Sequence, residues 1–135
     1  MADESTLVIV KPDAVRRGLI GQILGRLEAK GLRIQALRLI RVDRDLAERH
    51  YAEHRDKPFF AELVDFITSG DVIVAKVSGP AAVGVVRGLM GTTDPAASPP
   101  GTIRGDFGMS IAENLIHGSD SVESAKRELA LFFPE

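Results

Sequence analysis

Short apolar runs alternate with helical stripes along this chain. Thr6-Leu7-Val8-Ile9-Val10 is β-rich, is bounded by Lys11-Pro12, and reads as a buried strand. Asp13 is placed to cap a helix whose apolar stripe is Ile20, Ile23, Leu24 and Leu27, spaced i, i+3, i+4, i+7 and ending at Gly31. Leu32 to Val42 alternates as a strand, with a bulge expected at the adjacent Ala36 and Leu37. Asp45 to His50 predicts a short helix, and Phe60, Leu63, Val64 and Ile67 predict a second amphipathic one ending at Gly70. Val72 to Val77 predicts a third strand, punctuated by Gly79-Pro80, and Ala81 to Met90 a further helix. Gly91 to Gly108 reads as a long loop, Leu115-Ile116 as a fourth strand, and Asp120 with Glu123 as a capping box for a last helix running to about Leu131.

The predicted order is β-α-β-α-α-β-α-loop-β-α within a single domain spanning residues 1–135. Helices between strands imply an α/β sandwich, with helices packed on one sheet, and the β-α-β-β-α-β core matches the ferredoxin-like arrangement. A structureless loop of this length inside a compact domain is usually functional. This one carries Thr92, Thr93 and Arg104, all compatible with phosphate.

Bulk properties narrow the function classes. The chain has 135 residues, a formal net charge of −2 and no cysteine, which excludes a disulfide framework and a thiolate zinc site. That charge also argues against a nucleic-acid coat protein, so no nucleic acid is required as a partner. The acidic start Met1-Ala2-Asp3-Glu4 lacks a signal-peptide pattern and no apolar run suits a membrane span. The expected compartment is the cytoplasm.

The segment Asn114-Leu115-Ile116-His117-Gly118-Ser119-Asp120 holds the only asparagine of the chain and sets an imidazole in a tight polar turn before a helix. Histidine forms covalent intermediates readily, and an ordinary pKa of about 6.5 leaves much of it neutral. A lone histidine there also serves simply to cap a turn, so His117 needs support from elsewhere. No phosphate loop, dinucleotide fingerprint or His-Glu-x-x-His motif is present. A phosphate ligand would therefore be held by scattered side chains: Lys11, Arg87, Thr93 and Arg104, with His54 and Tyr51 nearby in sequence. Each has a plain alternative, such as a strand end for Lys11 or a solvated helix face for Arg87. Phe59, about 100° from the core stripe of its helix, could stack on a nucleobase or serve as peripheral core.

Together these segments resemble the nucleoside diphosphate kinase family over almost the whole chain, in its short, bacterial type. The resemblance rests on Thr6 to Asp13, His50-Tyr51-Ala52-Glu53-His54, Lys57-Pro58-Phe59-Phe60, Gly101 to Phe107 and Asn114 to Ser121, all in the family's order. It implies a four-stranded antiparallel sheet and ping-pong exchange of the terminal phosphate between nucleoside triphosphates and diphosphates through a phosphohistidine on His117. It further implies that Arg87, Thr93, Arg104 and His54 hold the phosphates with Mg²⁺. Tyr51 and Lys11 would approach the transferring group, and Lys11 and Asn114 would bind the sugar hydroxyl. Phe59 and Ile111 would sandwich the base, with Leu63 lining the cleft, which explains low base selectivity because no edge hydrogen bonds are read. Glu128 would orient His117 with Ser119 assisting, and Asp120 would meet the metal through water. Spacing agrees: Ser121, Ala125 and Glu128 fall at i, i+4, i+7, which turns Glu128 toward His117.

Ala112 and Glu113 replace the family's usual glycine and basic residue, and Glu113 is expected to point outward. Ile111 stands where valine is usual. The family assembles as homo-hexamers or tetramers, and a hexamer is expected here. Two other classes compete: a non-catalytic sensor of nucleotides or RNA, and a scaffold whose long loop binds partners. RNA binding by this fold needs strand aromatics and a basic face, neither of which the strands supply.

Overall fold

The structure is a computed structural model that describes residues 3–134. Four strands, β1 (Asp3–Val10), β2 (Arg33–Arg41), β3 (Asp71–Pro80) and β4 (Ile116–Gly118), form one antiparallel sheet in the order β2-β3-β1-β4. Among the described residues six α-helices lie between strands and a seventh follows β4: α1 (Pro12–Arg16), α2 (Ile20–Lys30), α3 (Arg44–His50), α4 (Phe60–Ile67), α5 (Ala82–Met90), α6 (Ile103–Phe107) and, last, α7 (Val122–Phe132).

The two central strands are buried on both faces, which is why Leu7-Val8-Ile9-Val10 has no polar alternation. Val8, Val10, Ala75 and Val77 pack beneath Ile23 and Leu27 of α2, Val86 and Met90 of α5, and Ile103 of α6. Leu7, Ile9, Val72 and Val74 face the other way, against Ala47, Val64, Ile67 and Phe132 from α3, α4 and α7. β2 is an outer strand and alternates, leaving Leu37 and Leu39 exposed.

Several expectations are corrected. Asp13 caps no helix: it sits inside α1, and its Oδ2 crosses to accept from the Leu115 amide at 3.1 Å. The chain breaks at Gly18 in the left-handed region, and α2 starts afresh with no side-chain cap. The bulge in β2 lies between Ile34 and Ala36 rather than at Ala36-Leu37. β3 runs on through Gly79-Pro80, because the start of β1 gives those residues pairing partners at Glu4 and Asp3. The last helix is capped by Ser121, whose Oγ accepts from the Ser124 amide at 3.0 Å, and not by Asp120.

The expected long loop is structured. Asp94 caps a 3₁₀ turn over Pro95–Ala97, and Thr102 caps α6 by accepting from Gly105. Gly105 is needed for contact rather than freedom, since a Cβ there would sit 2.0 Å from the Pro99 carbonyl oxygen. The fourth strand is displaced by one residue. Leu115 has φ 76, a left-handed conformation that cannot continue a strand, so β4 begins at Ile116 and carries His117 at its centre, paired with Ile9.

Candidate active site

The strained turn at Leu115 is clamped from three directions. The Lys11 amide donates to the Leu115 carbonyl at 2.9 Å, Asp13 accepts from its amide, and Arg104 Nε donates to the Asn114 carbonyl at 3.1 Å. Arg104 Nη2 adds a 2.6 Å bond to the Ile116 carbonyl, and Nη1 reaches the carbonyls of Gly91 and Thr92 at 3.4 and 3.3 Å. The buried guanidinium thus joins the loop after α5 to the start of β4. Burial, and then Arg87, lower its pKa to about 10, so it stays charged at neutral pH. Gly118 lets α5 close on β4, because a Cβ there would meet Met90 Sδ at 2.6 Å and Val86 Cγ1 at 2.9 Å.

Within this frame His117 Nε2 lies 2.8 Å from Glu128 Oε1. The same carboxylate oxygen accepts from Ser119 Oγ at 2.7 Å, while Ser119 Oγ accepts from the Leu7 amide at 3.2 Å. Burial opposes ionisation of Glu128, but hydrogen bonds and charge from His117, together with Ser119, overcome it and hold its pKa below the usual value. An ionised carboxylate only accepts hydrogen bonds. Two donors therefore converge on it, Ser119 O–H and His117 Nε2–H, and this tautomer leaves the lone pair of His117 on Nδ1.

His117 opens on a cleft of about 920 Å³. Lys11, Tyr51, His54, Phe59, Leu63, Arg87, Thr93, Arg104, Ile111, Asn114, Asp120 and Glu128 line the same cleft, so the structure gathers residues up to 117 positions apart. Ser119 lies behind it, fully buried. Thr92 does not join the lining: its hydroxyl donates to the Asp94 carbonyl and meets Ser98 Oγ at 2.8 Å. Lys11 Nζ donates to Asn114 Oδ1 at 2.9 Å, and Asn114 Nδ2 donates to the Thr93 carbonyl at 3.2 Å. Burial, then the charge of Arg104, lowers the Lys11 pKa to about 8 against the opposing pull of Asp13. Burial and then Glu128 push the Tyr51 phenol well above its ordinary value, so it remains a proton donor. Arg87 Nη1 donates to the Gly118 carbonyl at 3.3 Å from an exposed position.

Phe59 and Ile111 are two of the few large apolar side chains left exposed, and both border the cleft. The ring of His54 stands 5.5 Å from that of Phe59. Glu113 lies on the cleft rim with its carboxylate 3.9 Å from exposed Arg16. Asp120 is exposed, and hydrogen bonding from Ser124 leads the effects that lower its pKa.

Sequence reasoning passed over His50, Phe66 and Arg127, which also line the cleft. His50 ends α3, is buried, and stands edge-on to His117 with ring centroids 4.8 Å apart. Burial, and then the charge of His117, drives its pKa down to about 3, so it is neutral. Its signal was position: it follows buried Ala47 at i+3 on the inner face of α3.

Fold and site together define an α/β protein of ferredoxin-like topology with a carboxylate-held histidine at the floor of a cleft supplied with cationic side chains. The family model described as nucleoside diphosphate kinase matches residues 4–135. A nucleoside diphosphate kinase of Rubrobacter xylanophilus is 63% identical over 130 residues, covering 96% of this chain and 98% of its own. One from Mycobacterium avium is 60% identical and covers 98% of both chains. Among solved structures, a halophilic nucleoside diphosphate kinase from Halobacterium salinarum in complex with CDP superposes with a TM-score of 0.96 at 54% identity, covering 99% of this chain and 90% of its own. The chain belongs to the nucleoside diphosphate kinase family.

Proposed function

We propose that the chain moves the terminal phosphate of a nucleoside triphosphate, usually ATP, onto a nucleoside diphosphate by way of His117, with low selectivity for base and sugar. The observation that carries this reading is the Ser119–Glu128–His117 arrangement, which leaves a lone pair on Nδ1 of a residue that lines the cleft. Nδ1 attacks the γ-phosphorus, the bond to the β-phosphate oxygen breaks, and the nucleoside diphosphate departs with that electron pair. The acceptor then reverses the step. His117 Nε2–H stays against Glu128 throughout, so the carboxylate offsets the positive charge that develops on the ring. Transfer passes through a loose transition state with charge spread over the equatorial oxygens, so fixed cations and donors supply most of the stabilisation.

Arg87, Thr93 and His54 would meet the phosphates from the cleft wall, and Tyr51 would offer its O–H. Arg104 already directs its donors to backbone carbonyls, so it would act on the phosphates mainly by charge while fixing the strand that carries His117. Lys11 and Asn114, already bonded to each other, would receive the sugar hydroxyl. Phe59 and Ile111 would flank the base, with Leu63 beneath.

Mg²⁺ is a hard cation that takes oxygen ligands. The ionised Asp120 at the cleft suits it through a water, and among the described residues the one cluster of three potential metal-ligating side chains is rich in nitrogen and does not. The nucleotide phosphates would therefore be the main ligands, and the bound ion would neutralise their charge. The assembly proposed is a homo-hexamer, with a tetramer as the alternative; exposed Leu37 and Leu39 on the outer strand β2 support self-association at that edge. Among the described residues no helix is long and apolar enough to cross a membrane.

The test is to mix the protein with Mg²⁺ and γ-labelled ATP and no acceptor. Acid-labile, base-stable label that leaves on adding GDP or CDP is the expected result. Nucleotide binding without labelling would move the chain to the sensor class.

A pH dependence follows from Lys11. With its pKa lowered to about 8, the ammonium loses its proton as the pH rises through that value, and the cleft loses a positive charge. Since kcat/KM reports the free enzyme, it is expected to fall above about pH 8. The limb in kcat should lie higher, because bound phosphates favour the charged amine. Lys11→Arg stays charged across this range and should flatten the limb even where the overall rate drops. An unchanged limb in Lys11→Arg would assign it to another group.

A further inference from the structure

His50 takes no part in the reaction proposed above. Its ring is buried among Tyr51, His117 and Phe132, with centroids 4.6, 4.8 and 5.3 Å away. Its Nδ1 is buried and has no hydrogen-bond partner, which is rare for a polar atom in a folded interior. A neutral imidazole carries one N–H and one lone pair, so whichever of them Nδ1 holds is left without a partner at this depth.

His50, His117 and Glu128 each present one ligand atom, and the three atoms lie within 4.8 Å of one another. His117 Nε2 and Glu128 Oε1 are 2.8 Å apart. Two ligands on one Zn²⁺ at about 2.0–2.1 Å each stand roughly 3 Å apart, so that pair needs little adjustment, and His50 closes the set with a small shift of α3 or of its ring. Two imidazoles and one carboxylate form a known donor combination for zinc with an open fourth position. Nitrogen donors favour borderline ions of this kind over Mg²⁺, so a nucleotide-bound Mg²⁺ would not compete for the same atoms.

We propose that His50, His117 and Glu128 form an inhibitory site for a borderline-soft divalent cation of the Zn²⁺ class. The ion takes the lone pair of His117 Nε2. The proton displaced from Nε2 is taken up at Nδ1, so the ring stays neutral and no proton is lost overall. Nδ1 then carries a hydrogen where the nucleophilic lone pair had been, and the cleft can bind nucleotide without forming a phosphorus–nitrogen bond. The site itself stands on the geometry of three side chains; only its inhibitory consequence rests on the phosphotransfer reading.

Binding is tested on the whole chain without nucleotide, so that it is read independently of catalysis. Co²⁺ titration should produce visible bands of a low-coordinate site, and calorimetry with Zn²⁺ should give one ion per chain with micromolar affinity. The chain has three histidines, which makes assignment direct. His50→Gln is expected to weaken Zn²⁺ binding by tenfold or more, whereas His54→Gln should bind as the parent does. Should His50→Gln fail to fold, Glu128→Gln measured in the same way is expected to show a comparable loss. Absence of the visible bands, parental affinity in His50→Gln or in Glu128→Gln, or a loss confined to His54→Gln would each overturn the proposal. A failed labelling experiment with intact Zn²⁺ binding would overturn the phosphotransfer reading alone.

Discussion

His117→Gln is expected to abolish phosphate transfer while leaving the fold intact. Glutamine has similar reach and can donate its amide to Glu128 Oε1, which His117 Nε2 contacts at 2.8 Å, so no buried carboxylate is left unpaired. What it lacks is a nucleophilic lone pair. Deleting the nucleophile of a covalent mechanism commonly costs on the order of 10⁴-fold or more in rate. The side chain is only 20% exposed yet touches polar partners, so the melting temperature should move by no more than about 3 °C, as expected for a change below 1 kcal/mol in a chain of this size. Single-turnover transfer and a thermal melt read the two quantities separately. A rate within tenfold of the parent would remove His117 as the nucleophile.

Arg104→Met is expected to produce the largest loss of stability. The guanidinium donates to four backbone carbonyls, those of Gly91, Thr92, Asn114 and Ile116, from a side chain that is 6% exposed. Methionine fills much of the volume but satisfies none of them. Leaving buried acceptors of a charged donor unpaired costs about 3 kcal/mol, even allowing for partial rescue by water. For a chain of this length that is a fall of roughly 10 °C in the melting temperature. Two of those carbonyls flank Leu115 at φ 76, so the strand that carries His117 should also lose its alignment. Transfer measured well below the transition should therefore fall further than the lost charge alone would cause. Arg104→Lys keeps the charge but not the fork, and should fall between parent and Arg104→Met in stability. Melting within 2 °C of the parent in Arg104→Met would show that water replaces the clamp.

Much of the fold was legible because β1 and β3 are continuous apolar runs and the helices carry clean i, i+3, i+4 stripes. Boundaries moved where tertiary contacts overrode local signals. Pro80 stays in β3 because β1 begins opposite it, and Thr102 and Asp94 order a segment whose composition reads as loop. The Glu128–His117 contact could be anticipated from spacing within one helix, since the last strand and the last helix are adjacent in sequence. His50 could not, because its relation to His117 depends on α3 and α7 sharing one face of the sheet.

By itself the sequence determined the residue types of the cleft, the order of elements, and the family through motifs that survive in one dimension. Only the tertiary structure decided which atoms those residues present. It turned Asp13 from a helix cap into a partner of Leu115, committed Arg104 to carbonyls, and set Ser119 and Glu128 so that His117 keeps its lone pair on Nδ1. The physical reason is that a hydrogen bond depends on distance and direction between groups far apart in the chain, and no local pattern of side chains encodes either.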